Sequence, residues 1–234
     1  MIDFQLQELN FTLFAEKFNP TILNLNTLQR VGAIKPNWQL AEEPIYQADG
    51  LKLVFTNKVR IIAQTDRLIF AETVGNKRLQ DIHLAESVKS FIGGFLELKY
   101  RALSLSPGGY ASFESSTAAT KYLSEGLLAS TTWGKFQGQP ISAVGLKLAY
   151  PYKSGNFYLD INQANLDIVG REIPAIWFAG NFNYQLVGAS NEQRYSNLQT
   201  ILNSLLQDIQ NYQTYINNEL LAVSVIPSVS IFPL

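Results

Sequence analysis

The chain has 234 residues, with 18 Lys and Arg against 19 Asp and Glu, one His, no Cys and 47% hydrophobic residues. That length suits one large domain or two small ones with a proper core, and a formal charge of −1 lacks the broad basic footprint of a nucleic-acid binder. No cysteine means no disulfide, thiol chemistry or Cys-ligated metal site, while 18 Asn and 16 Gln rival the charged residues and favour recognition by shape and hydrogen bonding over steering.

At the N-terminus, Ile2, Phe4 and Leu6 alternate in one phase and Leu9, Phe11 and Leu13 in the other. This predicts a strand with a bulge near Glu8. Neither the basic region nor the apolar stretch of a signal peptide is present there, so a cytoplasmic location is expected. Residues 19–50 read as irregular, with a short helix over 21–31. From Leu51 a meander is predicted at 51–56, 59–64 and 68–73, separated by two- or three-residue turns. Leu84, Val88, Phe91 and Phe95 form one helical stripe ended by Gly93-Gly94. A strand over 96–105 follows, then a hairpin turn at Ser106-Pro107-Gly108-Gly109. A second helix is expected over 116–129, capped by Ser115 or Ser116, and 133–140 is a Gly-punctuated loop.

Strands at 141–150, 157–166 and 174–187 repeat the plan before the most regular element of all. Ser190 and Gln193 form a capping box, and Tyr195, Leu198, Leu202, Leu205, Ile209, Tyr212 and Ile216 step by three and four. The helix covers the sheet of its own half, or part of it pairs with a second copy. As an interface it would present that stripe together with Val229 and Ile231 of the tail. The stretch 220–234 carries no charge but is shorter than the ~20 residues of a membrane helix and is broken by Pro227 and Pro233. Docking on the protein or across a homodimer, through Val225, Val229, Ile231 and Phe232, is the expectation for it.

Strand meanders followed by helices predict an α+β fold of mainly antiparallel sheet, in two pseudo-repeated halves with the long C-terminal helix packed on the sheet. Residues 1–234 are read as a single unit, with possible halves 1–113 and 114–234.

Chemistry-bearing motifs are sparse. His83 has no second His or Cys with which to build a metal triad or a nucleophile–base couple. Gly134-Lys135 is followed by Phe136, so it is no phosphate loop. Asp160-Ile161-Asn162 starts like a calcium loop but places Ala164, Asn165 and Arg171 where ligand, glycine and glutamate belong. No metal or cofactor is expected. Glu42, Glu43, Asp66 and Glu172 show no acid–base spacing, which leaves a carboxylate-based hydrolase as the third reading. Lys99-Tyr100-Arg101 is the best nucleic-acid feature, but Tyr100 is in phase with Leu96 and Leu98 and reads as core. On the strand 174–187, Ile176, Phe178, Phe182, Tyr184 and Leu186 form a core face. The opposite phase sets Trp177 beside Asn181, Asn183 and Gln185, an uncharged ladder suited to a neutral sugar or nucleobase.

The segment Ile61-Ile62-Ala63-Gln64-Thr65-Asp66-Arg67-Leu68-Ile69-Phe70, followed by a helix and a strand, resembles sporadically distributed bacterial proteins of unknown function. Such proteins pair two meander–helix halves and end in a long helix. The resemblance implies a bacterial cytosolic origin and carries over no catalytic residue. The leading expectation is a non-enzymatic interaction or scaffold protein acting with itself or another protein. A neutral-ligand binder comes second, and neither membrane nor nucleic acid is expected as partner.

Overall fold

Alternating apolar residues build the first strand, β1 (Gln5–Ala15), which buries Leu6, Leu9, Phe11 and Leu13 on one face. The phase change is a bulge, where pairing with the neighbouring strand shifts register between Leu6 and Glu8. The computed structural model describes residues 2–128, 134–168 and 170–222. The tail residues Val225, Val229, Ile231 and Phe232 lie outside the described residues, as do Ala129 and Trp133.

After a 3-10 turn at Pro20–Ile22, Asn24 caps α1 (Leu25–Arg30) by accepting from the Thr27 amide at 2.9 Å. The meander follows as β2 (Ile45–Gln47), β3 (Gly50–Val54), β4 (Val59–Gln64) and β5 (Arg67–Thr73). Its first strand falls where irregular chain is expected. Next come α2 (Leu84–Gly94), β6 (Tyr100–Ser112) and α3 (Ser116–Lys121), the last continuing as a π-helical turn over Tyr122–Leu127. A small hairpin, β7 (Lys135–Phe136) and β8 (Gln139–Pro140), precedes β9 (Gly145–Tyr152), β10 (Gly155–Ile168) and β11 (Arg171–Gln185). The capping box forms at Ser190, and α4 (Asn191–Tyr215) runs on into a π-helical turn at Ile216–Leu220.

Nine strands make one antiparallel sheet in the order β2-β3-β4-β5-β1-β6-β11-β10-β9. The helices pack on a single face of it. Phe91 of α2 meets Phe70 of β5 at 5.7 Å between ring centroids, and Tyr212 of α4 meets Phe4 at 5.5 Å. Tyr122, just beyond α3, meets Phe113 at 5.3 Å and donates to the Leu220 carbonyl at 2.8 Å.

One expectation is overturned. Ser106-Pro107-Gly108-Gly109 is no hairpin turn but the middle of β6, a long central strand. Proline lacks the amide a central ladder needs, and β6 and β11 are indeed unpaired between Leu105↔Phe182 and Gly108↔Ala179. The glycines are there for close approach. A Cβ on Gly109 would collide with Phe4 and the Gln5 carbonyl, and one on Gly108 would meet the Trp177 ring at 3.0 Å.

Candidate functional site

Strand periodicity places each sequence-derived site residue. Along β11, Ile176, Phe178, Phe182 and Tyr184 are buried beneath α4, so Trp177, Asn181, Asn183 and Gln185 share the opposite face. The first three are half-buried and Gln185 is exposed. They belong to a larger surface, because no helix of the described residues covers this side of the sheet. Trp177 stands opposite Tyr110 of β6 and Asn162 of β10, its ring lying over Gly108 beside the Glu8 side chain. Asn181 Oδ1 accepts from the Ser104 hydroxyl at 3.2 Å. Towards the meander the same face carries Phe14 with the Arg67 guanidinium 5.4 Å from its ring centre, then Ile69 and Ile62. On this face β6 presents Ala102, Ser104, Ser106 and Gly108 and β11 presents Trp177, Ala179, Asn181 and Asn183, flanked by two carboxylates, Glu8 of β1 beside Trp177 and Asp160 of β10 opposite Ala179.

The helix stripe sits elsewhere. Leu198, Leu202, Leu205, Ile209, Tyr212 and Ile216 are each at most 2% exposed, packed against their own sheet, and Tyr195 is partly buried on the same core. These side chains are thus engaged within the chain's own core. Val229 and Ile231 lie outside the described residues.

Among the described residues two carboxylates are fully buried, and both are hydrogen-bonded through both oxygens. Glu72, at the end of β5, accepts from Lys77 Nζ at 2.7 Å and from the His83 and Leu84 amides at 2.8 and 3.2 Å. It caps α2 from a distance, since His83 itself offers no side-chain cap. Asp208 of α4 accepts from Tyr184 and Tyr152 hydroxyls at 2.6 and 2.7 Å and from Lys153 Nζ at 2.6 and 2.7 Å. Buried and each tied to an ammonium, neither faces a position from which it could act as a general base. Among the described residues there is no group of three or more His, Asp or Glu that would hold a metal. A polar cleft of about 690 Å³ between α3 and the β7–β8 hairpin holds one carboxylate, Glu125, which lies 3.7 Å from Lys121.

Sequence reading missed an aromatic slot of about 220 Å³ under the outer strands, lined by Tyr150, Tyr152, Phe157, Phe182, Tyr212 and Tyr215 with Asn211. Its signal was present as aromatics two apart in β9 and three apart in α4, but only the pairing of β9 with β10 brings them together. No protein-family model matches the chain, and no curated protein does. Among the described residues no helix is long and apolar enough to cross a membrane.

Proposed function

We propose that this protein is a non-enzymatic interaction protein that pairs with a second copy of itself through the uncovered face of its sheet. The observation that carries this reading is the placement of α1 to α4 on one side only, which leaves Trp177, Tyr110, Phe14, Ile69 and Ile62 on a face without a second layer. Nine strands at about 4.8 Å span about 38 Å. Engaging about 20 Å of each gives roughly 1,500 Å² over both copies, the size of a standard stable interface.

The same reading takes the chain as two corresponding halves. β1 pairs with β5, and β6 with β11. In each case a first strand is joined by the last strand of the meander that follows, a short helix intervenes, and a longer helix closes the set. The division then falls before β6 rather than at residue 113, and β1 and β6 meet antiparallel at the centre.

Ala179→Arg places a long charged side chain on the face, beside its cross-strand partner Asp160. By light scattering the wild-type chain, 26.2 kDa, is expected at twice its own mass and the variant at its own mass, with unchanged melting. A wild type at its own mass overturns the reading. The second reading, a neutral sugar or nucleobase on Trp177, Asn181, Asn183 and Gln185, is favoured by the half-buried indole beside the amides. It predicts a saturable change in Trp fluorescence with such a compound, lost in Trp177→Phe.

A further inference from the structure

The open face carries charges, and two of them are not answered within the chain. Register puts Lys52, Arg60 and Arg67 on it from β3, β4 and β5, and Glu8 and Asp160 from β1 and β10. Lys52 pairs with Glu42 at 2.7 Å, Arg67 with Asp66 at 2.7 Å and Asp160 with Lys147 at 3.6 Å. Arg60 and Glu8 are both half-buried, and among the described residues neither has an ion pair or a side-chain hydrogen bond. Arg60 Nε is itself buried without an acceptor. Both groups have lost part of their hydration without gaining a partner.

The two do not meet within one chain. Arg60 stands opposite Ala71, and Ala71 opposite Asn10, so Glu8 lies two strands across and two residues along. At about 4.8 Å per strand and about 3.4 Å per residue, that is about 12 Å between Cα atoms. Glu8 also leans the other way, with Oε1 over Gly108 of β6, 3.2 Å from where a Cβ would stand.

A second copy closes the distance. When two identical faces meet about a two-fold axis lying between them, a residue i that faces j is matched by j facing i, so each pair is made twice. An axis crossing β5 between Ala71 and Thr73 is equidistant from Arg60 and Glu8. All three cations of the face then lie on one side of it and both carboxylates on the other. The residues nearest the axis, Ala71 and Thr73, are small and uncharged, so each meets its own copy without repulsion.

We propose, building on self-association through this face, that the copies meet in a register that pairs Arg60 of each with Glu8 of the other. The two pairs fix where the faces meet more than how tightly they hold, the usual part of charge complementarity at an interface.

The test is light scattering on the full chain as wild type, as Arg60→Glu, as Glu8→Arg, and as an equimolar mixture of the two variants. The wild type is expected at twice its own mass. Each reversal alone sets like charges opposite one another at both contacts and is expected to raise the dissociation constant at least tenfold, with the melting temperature unchanged. Mixed, the two variants regain an opposite-charge pair at both contacts, and a one-to-one heterodimer is expected. A wild type at its own mass overturns self-association and this pairing with it. A dimer that withstands either reversal, or reversed variants that stay at their own mass when mixed, overturns the pairing alone. If a reversal unfolds the chain, Arg60→Gln and Glu8→Gln take its place. Each is expected to weaken the dimer, and the two in one chain no more than either alone, whereas additive losses overturn the pairing.

Discussion

At the scale of single residues, the buried polar groups are the tightest constraint. Asp208 is 1% exposed and answers two phenols and an ammonium, so its removal strands the Tyr152 and Tyr184 hydroxyls, while Lys153 keeps Ser204 at 2.8 Å and water. Breaking one partner out of a buried charged network costs about 3–5 kcal/mol. Asp208→Ala is expected to lose that much in urea denaturation, and Tyr184→Phe, which removes one neutral donor, about 1 kcal/mol. Equal losses in the two variants would mean the carboxylate does not organise the cluster. The tyrosines set a second limit. Burial first, then the bond to Asp208, pushes Tyr152 up to about 12, and burial with the Tyr150 contact pushes Tyr215 up to about 12. Burial moves Tyr100, Tyr122, Tyr184 and Tyr212 upward as well. An unfolded tyrosine ionises near about 10, so the folded chain holds protons that the unfolded chain has released. Stability is therefore full below about pH 10 and falls as pH rises towards about 12 and beyond. Melting followed by circular dichroism should drop steeply in that window, while absorbance at alkaline pH shows these phenols titrating late. Uniform titration near pH 10 with the fold intact would contradict this.

At the scale of elements, α4 is held by its apolar stripe and by one close approach. Leu205 and Ile209 are buried, and Leu205→Ala or Ile209→Ala is expected to cost about 2–5 kcal/mol without altering solution mass, because both face their own sheet. A change in mass at constant stability would return the stripe to a partner. Tyr212 lies against Gly180 at the interruption of the β6–β11 ladder, where a Cβ would come within 2.7 Å of its ring and 3.0 Å of Pro107 Cγ. Gly180→Ala should destabilise by about 1–3 kcal/mol through overpacking. Gly93→Ala in α2 meets nothing within 4 Å and should stabilise by up to about 1 kcal/mol. Thermal melts of the pair separate crowding from helix propensity: the reverse order would show that the close approach is not what Gly180 provides.

At the scale of the whole molecule, the sheet's edges and its open face differ in kind. The edge strand β2 has three residues, and β9 carries Lys147 and Pro151, both of which discourage strand addition. The proposed self-association therefore uses the face rather than an edge. If apolar contacts such as Trp177 and Phe14 hold the proposed dimer, its mass should persist from about 0.05 to 1 M NaCl, conditions over which contacts between exposed ions are screened. Dissociation on adding salt would point instead to the charged groups of the face, such as Glu8, Asp160 and its neighbour Lys147.

The sequence by itself determined those features whose cause is local. Period-two alternation located β1 with its bulge at Glu8, and β4, β5 and both faces of β11. Three-four spacing located α2 and α4, and Ser190 with Gln193 marked the start of α4, because caps and amphipathic periods act within a few residues. Tertiary structure decided the rest. Pro107, Gly108 and Gly109 carry the local signature of a turn, yet they run through a central strand because Phe4 and Trp177 fill the space the two glycines leave and Gly180 leaves room for Pro107. Glu72 caps a helix that begins 12 residues later, and Asp208 meets Tyr152 and Lys153 from more than 50 residues away. The aromatic slot and the open face have the same origin. Both depend on which strands become neighbours and on all the helices choosing one side, and these are long-range choices with no short-range pattern to announce them.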